Sequence, residues 1–187
     1  MQMESVAGGL INICCVCFFK LFYTRIGNNE IYSDFRSGKI NLWQKRYLCV
    51  MTAGEYSVYK HNVAGGGIGP GGSVTVVIET KRGFRYLSAA AMLVTTNDAF
   101  MAVRGVYARS GETTVVNATA YDAGSEDNSE DCAYIPGPPC GNGGVRDTDG
   151  AEGYVYIHSG IHGIGDLEPA EFDWGNPVAT VKIERLN

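Results

Sequence analysis

Residues 87–94 (LSAAAMLV) constrain the fold more than any other stretch of the chain. The run is apolar on both faces, which predicts a central strand covered from both sides. It ends in a polar corner, Thr95-Thr96-Asn97-Asp98. A second strand-like run, 113–121, delivers Asp122 and opens the acidic loop DAGSED. Two strands predicted to be buried thus each end at a carboxylate. Oxygen-rich corners held by rigid strands are what a hard cation such as calcium requires.

The surrounding pattern is that of an all-β protein. Short apolar runs alternate with turn residues, no long helical period is present, and glycine reaches 25 of 187 residues. Residues 73–80 (SVTVVIET) alternate, with Val74, Val76 and Ile78 on one face. Residues 100–106 continue after the polar corner, and 113–121 place Val116, Ala118 and Ala120 on one face. Residues 154–158 are expected as a strand with Val155 and Ile157 inward. Residues 178–186 close the chain with Val181 and Ile183 inward and Lys182 and Glu184 outward. Two shorter strands are expected at 47–51 and 55–60, around Thr52-Ala53-Gly54, and a turn at Lys81-Arg82-Gly83. Such spacing suits an antiparallel β-sandwich with loops gathered at its ends. A hydrophobic content of 45% with 19% charged residues fits a globular core. The net charge of −5 gives no basic face for a nucleic acid.

The chain divides at about residue 62. Segment 1–61 is atypical, and 62–187 carries the regular strand pattern. Residues 9–23 (GLINICCVCFFKLFY) are too short for a membrane span and are interrupted by Lys20, so no integral span is expected. Glu4 precedes this run where a signal peptide carries positive charge. The arm is therefore expected not to be the natural start of the domain, and to reflect a misplaced start or a shifted frame. Trp43 and the Lys45-Arg46 pair are expected at surface and edge.

Cys132 and Cys140 bracket a proline-rich turn, CAYIPGPPC, and at that separation can reach disulfide distance. No C-x-x-C pair supports a metal site instead. Gly67, Gly69 and Gly72 match the spacing G-x-G-x-x-G, but the stretch contains Pro70 and opens a strand, so it is a turn and not a phosphate cradle. Asn117-Ala118-Thr119 matches a glycosylation sequon but lies within a predicted strand.

The leading site candidates are Asp98, Asp122 and Glu126. Calcium takes six to eight oxygens, so three carboxylates would be supplemented by carbonyls, that of Tyr121 among them, or by water. Spacing leaves a second explanation open, in which these acids cap turns. Asp147-Thr148-Asp149-Gly150 lacks the later acids of a helix–loop–helix calcium loop. His158 and His162, with Asp122 or Asp166, would suit zinc or copper, against a plain polar role at a strand end. Ser159 lacks the first glycine of a nucleophile elbow. No catalytic constellation is specified.

Several ordered runs carry a family likeness: PGGSVTVVIET, RYLSAAAMLVTTNDAF, NATAYDAGSEDNSEDCAYIPGPPC, GYVYIHSGIHGIGDLEPAEFDW and NPVATVKIERLN. Over about residues 62–187 the chain resembles the spondin domain, the N-terminal module of F-spondin and of many bacterial secreted proteins, and the bacterial form is the nearer. The resemblance implies an antiparallel β-sandwich with a bound calcium ion, a secreted location and a role in adhesion or ligand binding. The partner would be an extracellular protein, glycan or lipid. It implies Asp98, Asp122 and Glu126 as calcium ligands. Ala99 separates Asp98 from Phe100 where the animal form has Trp directly after the Asp, and Glu126 stands where that form has Asp. The residues before about 62 do not match, so the sandwich is incomplete at the N-terminus by this pattern.

Overall fold

A computed structural model describes residues 2–5, 49–53, 58–63, 67–78, 85–142 and 144–186. The arm at 9–23, Trp43, Lys45-Arg46 and the turn at 81–83 lie outside them. The described chain is all-β and antiparallel. Its strands are β1 (Gln2–Ser5), β2 (Cys49–Ala53), β3 (Val58–Val63), β4 (Ser73–Thr75), β5 (Tyr86–Met92), β6 (Phe100–Tyr107), β7 (Thr113–Asp122), β8 (Tyr156–Ile157) and β9 (Ala179–Glu184). One helical turn, α1 (Pro169–Phe172), interrupts the strand pattern. Hydrogen-bonded neighbours run β3-β2-β5-β6-β7-β9-β1-β4, with β8 added beside β7.

The run at 87–94 becomes the centre of this order. β5 lies between β2 and β6, and residues 87–91 are buried on both faces. One face, Leu87, Ala89, Ala91 and Leu93, joins the main core with Met101, Val103, Ala118, Ala120, Val181 and Ile183. The other face sends Ala90 against Phe100 and Ala123. Alanine dominates the strand because both faces are covered at close range, where larger side chains would not fit.

β7 changes partners along its length. Its first residues, Thr113 to Ala118, pair with β9, and Thr119 to Tyr121 pair with β6. Tyr121 and Asp122 then pair with β8. The strand therefore carries the core from one ladder to the next and ends at Asp122. At the start of β6, Leu93 N–H donates to the Ala99 carbonyl and closes the corner that holds Asp98.

Most predicted strands are present, with shifted ends. β2 and β3 overlap the strands expected at 47–51 and 55–60, of which 47–48 and 55–57 lie outside the described residues. β4 ends at Thr75, although Val76 stays buried and Val74 and Ile78 pack on the core as the alternation requires. The turn at Pro70 and Gly71 leads into β4 and not into a helix.

The strand at 154–158 differs from its pattern. Only Tyr156 and Ile157 form it, and Ile157 is 61% exposed. Tyr156 and His158 turn inward to a polar network, so the side chain between them must face water.

Candidate metal centre

The corner after β5 is buried although it is polar. Thr95, Thr96, Asn97 and Asp98 are all nearly inaccessible to solvent. Buried polar groups must find partners, and these find them within the corner or across the acidic loop. Thr96 Oγ1 donates to the Leu93 carbonyl and accepts the Ala99 N–H. Thr95 Oγ1 donates to the Pro138 carbonyl. Asn97 Oδ1 accepts the Glu130 N–H.

Asp98 faces the turn at 125–126. Its Oδ2 accepts the Ser125 N–H at 2.6 Å, the Ser125 hydroxyl at 2.8 Å and the Glu126 N–H at 3.0 Å. Its Oδ1 is buried and has no hydrogen-bond partner. Burial first, and then the charge of Asp122, push the Asp98 carboxyl up to about 6. The three donors on Oδ2 pull the other way and do not prevail.

Asp122 ends β7 and is fully buried. Its Oδ1 accepts the Gly124 N–H, as a turn-capping Asp would, and its Oδ2 accepts from the Asn128 amide. The turn needs glycine at 124. Its φ is +62°, and a Cβ there would lie 2.1 Å from the Tyr154 carbonyl oxygen.

Glu126 is buried, but its carboxylate points to Arg146. Arg146 Nε donates to Glu126 Oε1 at 2.6 Å. Burial raises the Glu126 carboxyl while Arg146 acts to lower it. The structure thus brings Asp98 and Asp122 into electrostatic contact and ties the Glu126 backbone to Asp98. The Glu126 side chain is engaged elsewhere. Among the described residues, no group of three or more His, Cys, Asp or Glu side chains is arranged to hold a metal ion.

On the other side of Asp122 lies a network that spacing did not indicate. Asn128 Nδ2 bonds Asp122, contacts Glu152 Oε1 at 3.5 Å and lies 2.9 Å from the Tyr156 hydroxyl. The Tyr156 hydroxyl donates to Glu152 Oε1 at 2.8 Å, and Glu152 Oε2 is buried without a partner. Burial, and then Glu152, hold the Tyr156 phenol well above its ordinary range.

His158 Nδ1 accepts the Gly160 N–H, which leaves the proton on Nε2 to be donated to Asn128 Oδ1. Nε2 is also 3.9 Å from Asp122 Oδ2. Burial nevertheless lowers the histidine's affinity for a second proton, outweighing Asp122. It packs against Trp174, with ring centroids 5.1 Å apart and the planes tilted by 40°. His162 is exposed and bonds Ser159 Oγ instead. Both nitrogens of His158 are therefore committed, and the two histidines serve different neighbours. Asp166 Oδ2 accepts the Cys132 N–H.

A hard cation fits part of this arrangement. The unpartnered Asp98 oxygen and the repulsion that Asp122 adds are what a cation would relieve. Glu126 would need to leave Arg146 to add a third carboxylate. Asn128, Glu152 and Arg146 sit on irregular loops, where no period marks a direction, and Tyr156 lies in a strand whose alternation pointed its neighbours Val155 and Ile157 inward instead. Cys132 and Cys140 do form a disulfide, with Cα atoms 4.8 Å apart. Among the described residues, no helix is long and apolar enough to cross a membrane. No family model, curated protein or solved structure matches the chain.

Proposed function

We propose that this chain is a calcium-stabilised, non-catalytic β-sandwich module of the extracellular space, which binds a protein, glycan or lipid ligand. One observation carries the reading: two buried carboxylates repel each other while Asp98 Oδ1 has no partner. Calcium accepts irregular sets of oxygen ligands, and Asp98 and Asp122 would hold it, completed by carbonyls, water and the Glu126 carboxylate. The ion supplies charge neutralisation and a cross-link, and no bond-breaking chemistry. It would tie the end of β5 to the loop after β7, and binding to the folded state alone adds stability.

Two further observations support the setting. The Cys132–Cys140 disulfide suits an oxidising compartment. The likeness of residues 62–187 to spondin domains points to secretion and adhesion.

Thermal melting tests the reading. Calcium should raise the midpoint above that in EDTA, and Asp122→Ala should abolish the difference. Identical curves with calcium and with EDTA would overturn it. Elemental analysis distinguishes the alternative, a zinc or copper enzyme built on His158 and His162. Liposome and glycan-array binding, with and without calcium, identifies the ligand class.

A further inference from the structure

We propose that Arg146 is a tethered competitor for the cation at the Asp98–Asp122 corner, and that it sets the calcium affinity by holding Glu126. The inference rests on the calcium reading above and concerns how that site is regulated.

The contact is built and not incidental. Arg146 comes from the loop after the disulfide and reaches back twenty residues to the acidic turn. Its Nε grips Glu126 Oε1 at 2.6 Å, and its Nη2 donates to the Ser125 hydroxyl at 3.0 Å and the Ser125 carbonyl at 3.2 Å. Ser125 is the residue whose N–H and hydroxyl both bond Asp98 Oδ2. The guanidinium therefore sits one residue from the corner and shares its scaffold. Its side chain is 30% exposed and that of Glu126 is 9% exposed, so the pair is shielded from most screening. The Asp127 N–H donates to the Asp147 carbonyl at 2.9 Å and fixes the neighbouring backbone of both loops.

A buried oxygen without a hydrogen-bond partner points to a missing cation. Asp98, itself only 7% exposed, leaves Oδ1 unpartnered. Arg146 does not satisfy that oxygen; it satisfies Glu126 instead. Arg146 is a cation beside the corner, and it occupies the carboxylate which a divalent ion would recruit third. The guanidinium holds Glu126 Oε1, so a calcium ion that draws the carboxylate toward Asp98 and Asp122 works against the Nε contact. The bonds to Ser125 keep the arginine close, ready to return when calcium leaves. The affinity is thereby lowered by the strength of a charge-assisted contact.

Calcium titration by calorimetry tests this on the full chain. Arg146→Gln should bind calcium on the order of ten-fold more tightly than wild type. In a Glu126→Gln background the same arginine substitution should change the affinity little, because the contested carboxylate is gone. Unchanged or weaker binding by a folded Arg146→Gln variant would overturn the proposal while leaving the calcium reading intact. Absence of binding by wild type and variants alike would overturn both. Should Arg146→Gln not fold, the wild-type protein still decides. The Arg146 Nε–H should give a protected, displaced NMR resonance in EDTA that joins the solvent-exposed arginines on adding calcium. A resonance that saturating calcium does not move would overturn the proposal.

Discussion

Asp98 is held as a charged group at a position that favours the neutral form. Its carboxyl keeps its proton to about 6 in the folded protein, against 3.8 for an ordinary aspartate. The folded state thus binds the proton more strongly than the unfolded state. Stability of the metal-free protein is therefore greatest below the unfolded value and falls as the pH rises through about 6. The loss attached to this one group is on the order of 3 kcal/mol. In EDTA at pH 7, Asp98→Asn should melt higher than wild type and show a flatter pH profile, because the amide oxygen can still accept the three donors now on Oδ2. A variant retaining the wild-type slope would locate the titration elsewhere. Glu130 is a buried acid that anchors backbone. Its φ is +56°, in a region that non-glycine residues seldom occupy. Its carboxylate accepts the N–H groups of His162, Gly163 and Ile164 at 2.6, 2.8 and 3.0 Å. Glu130→Gln keeps the shape and removes the charge, and denaturant unfolding should show a loss of about 1.5–3 kcal/mol.

At the scale of elements, the loops after β7 are organised by short links of different kinds. The disulfide closes the turn at 132–140, and the Gly137 N–H donates to the Val94 carbonyl at 2.7 Å, fastening that turn to the end of β5. Replacing both cysteines by serine opens a loop with a sequence separation of 8. Loop-closure entropy for so short a span predicts a loss of about 2–3 kcal/mol. If the turn also helps to fix the polar corner, the paired serine variant should weaken calcium binding as well, since Thr95 donates to Pro138 within that turn. Unfolding in urea and calcium titration of the same variant measure the two effects separately. β8 shows how a site can override a pattern. Its two residues pair with the end of β7, and the polar cluster around Asp122 decides which side chains point in.

For the whole molecule, one shared core joins β5, β6, β7 and β9, which should therefore unfold together. Leu87 and Met101 pack in the same cluster as Val181 and Ile183, although β5, β6 and β9 are far apart in sequence. Met101→Ala should cost about 2–5 kcal/mol. Because the core is common, the loss should appear equally in the far-ultraviolet signal of the strands and in the near-ultraviolet signal of Trp174, which packs on two clusters. Separate transitions for the two probes would show that the ladders unfold independently.

The apolar run of β5, the alternation of β7 and β9, the two carboxylates and the disulfide across a short turn were all legible in the sequence. Each of these is written in a local period or a small separation: Val181 and Ile183 face inward because every second residue does. Strand ends were less legible, since hydrogen-bond pairing at an edge depends on a partner that the strand does not contain. Packing in three dimensions is what brings Glu126 to Arg146 across 20 residues, sets Asn128 between Asp122, Glu152 and Tyr156, and lets Glu130 anchor a backbone segment 32 residues away. Those contacts join irregular loops, where no repeat fixes the direction of a side chain. They form because burial leaves each polar group only the partners that packing brings within reach.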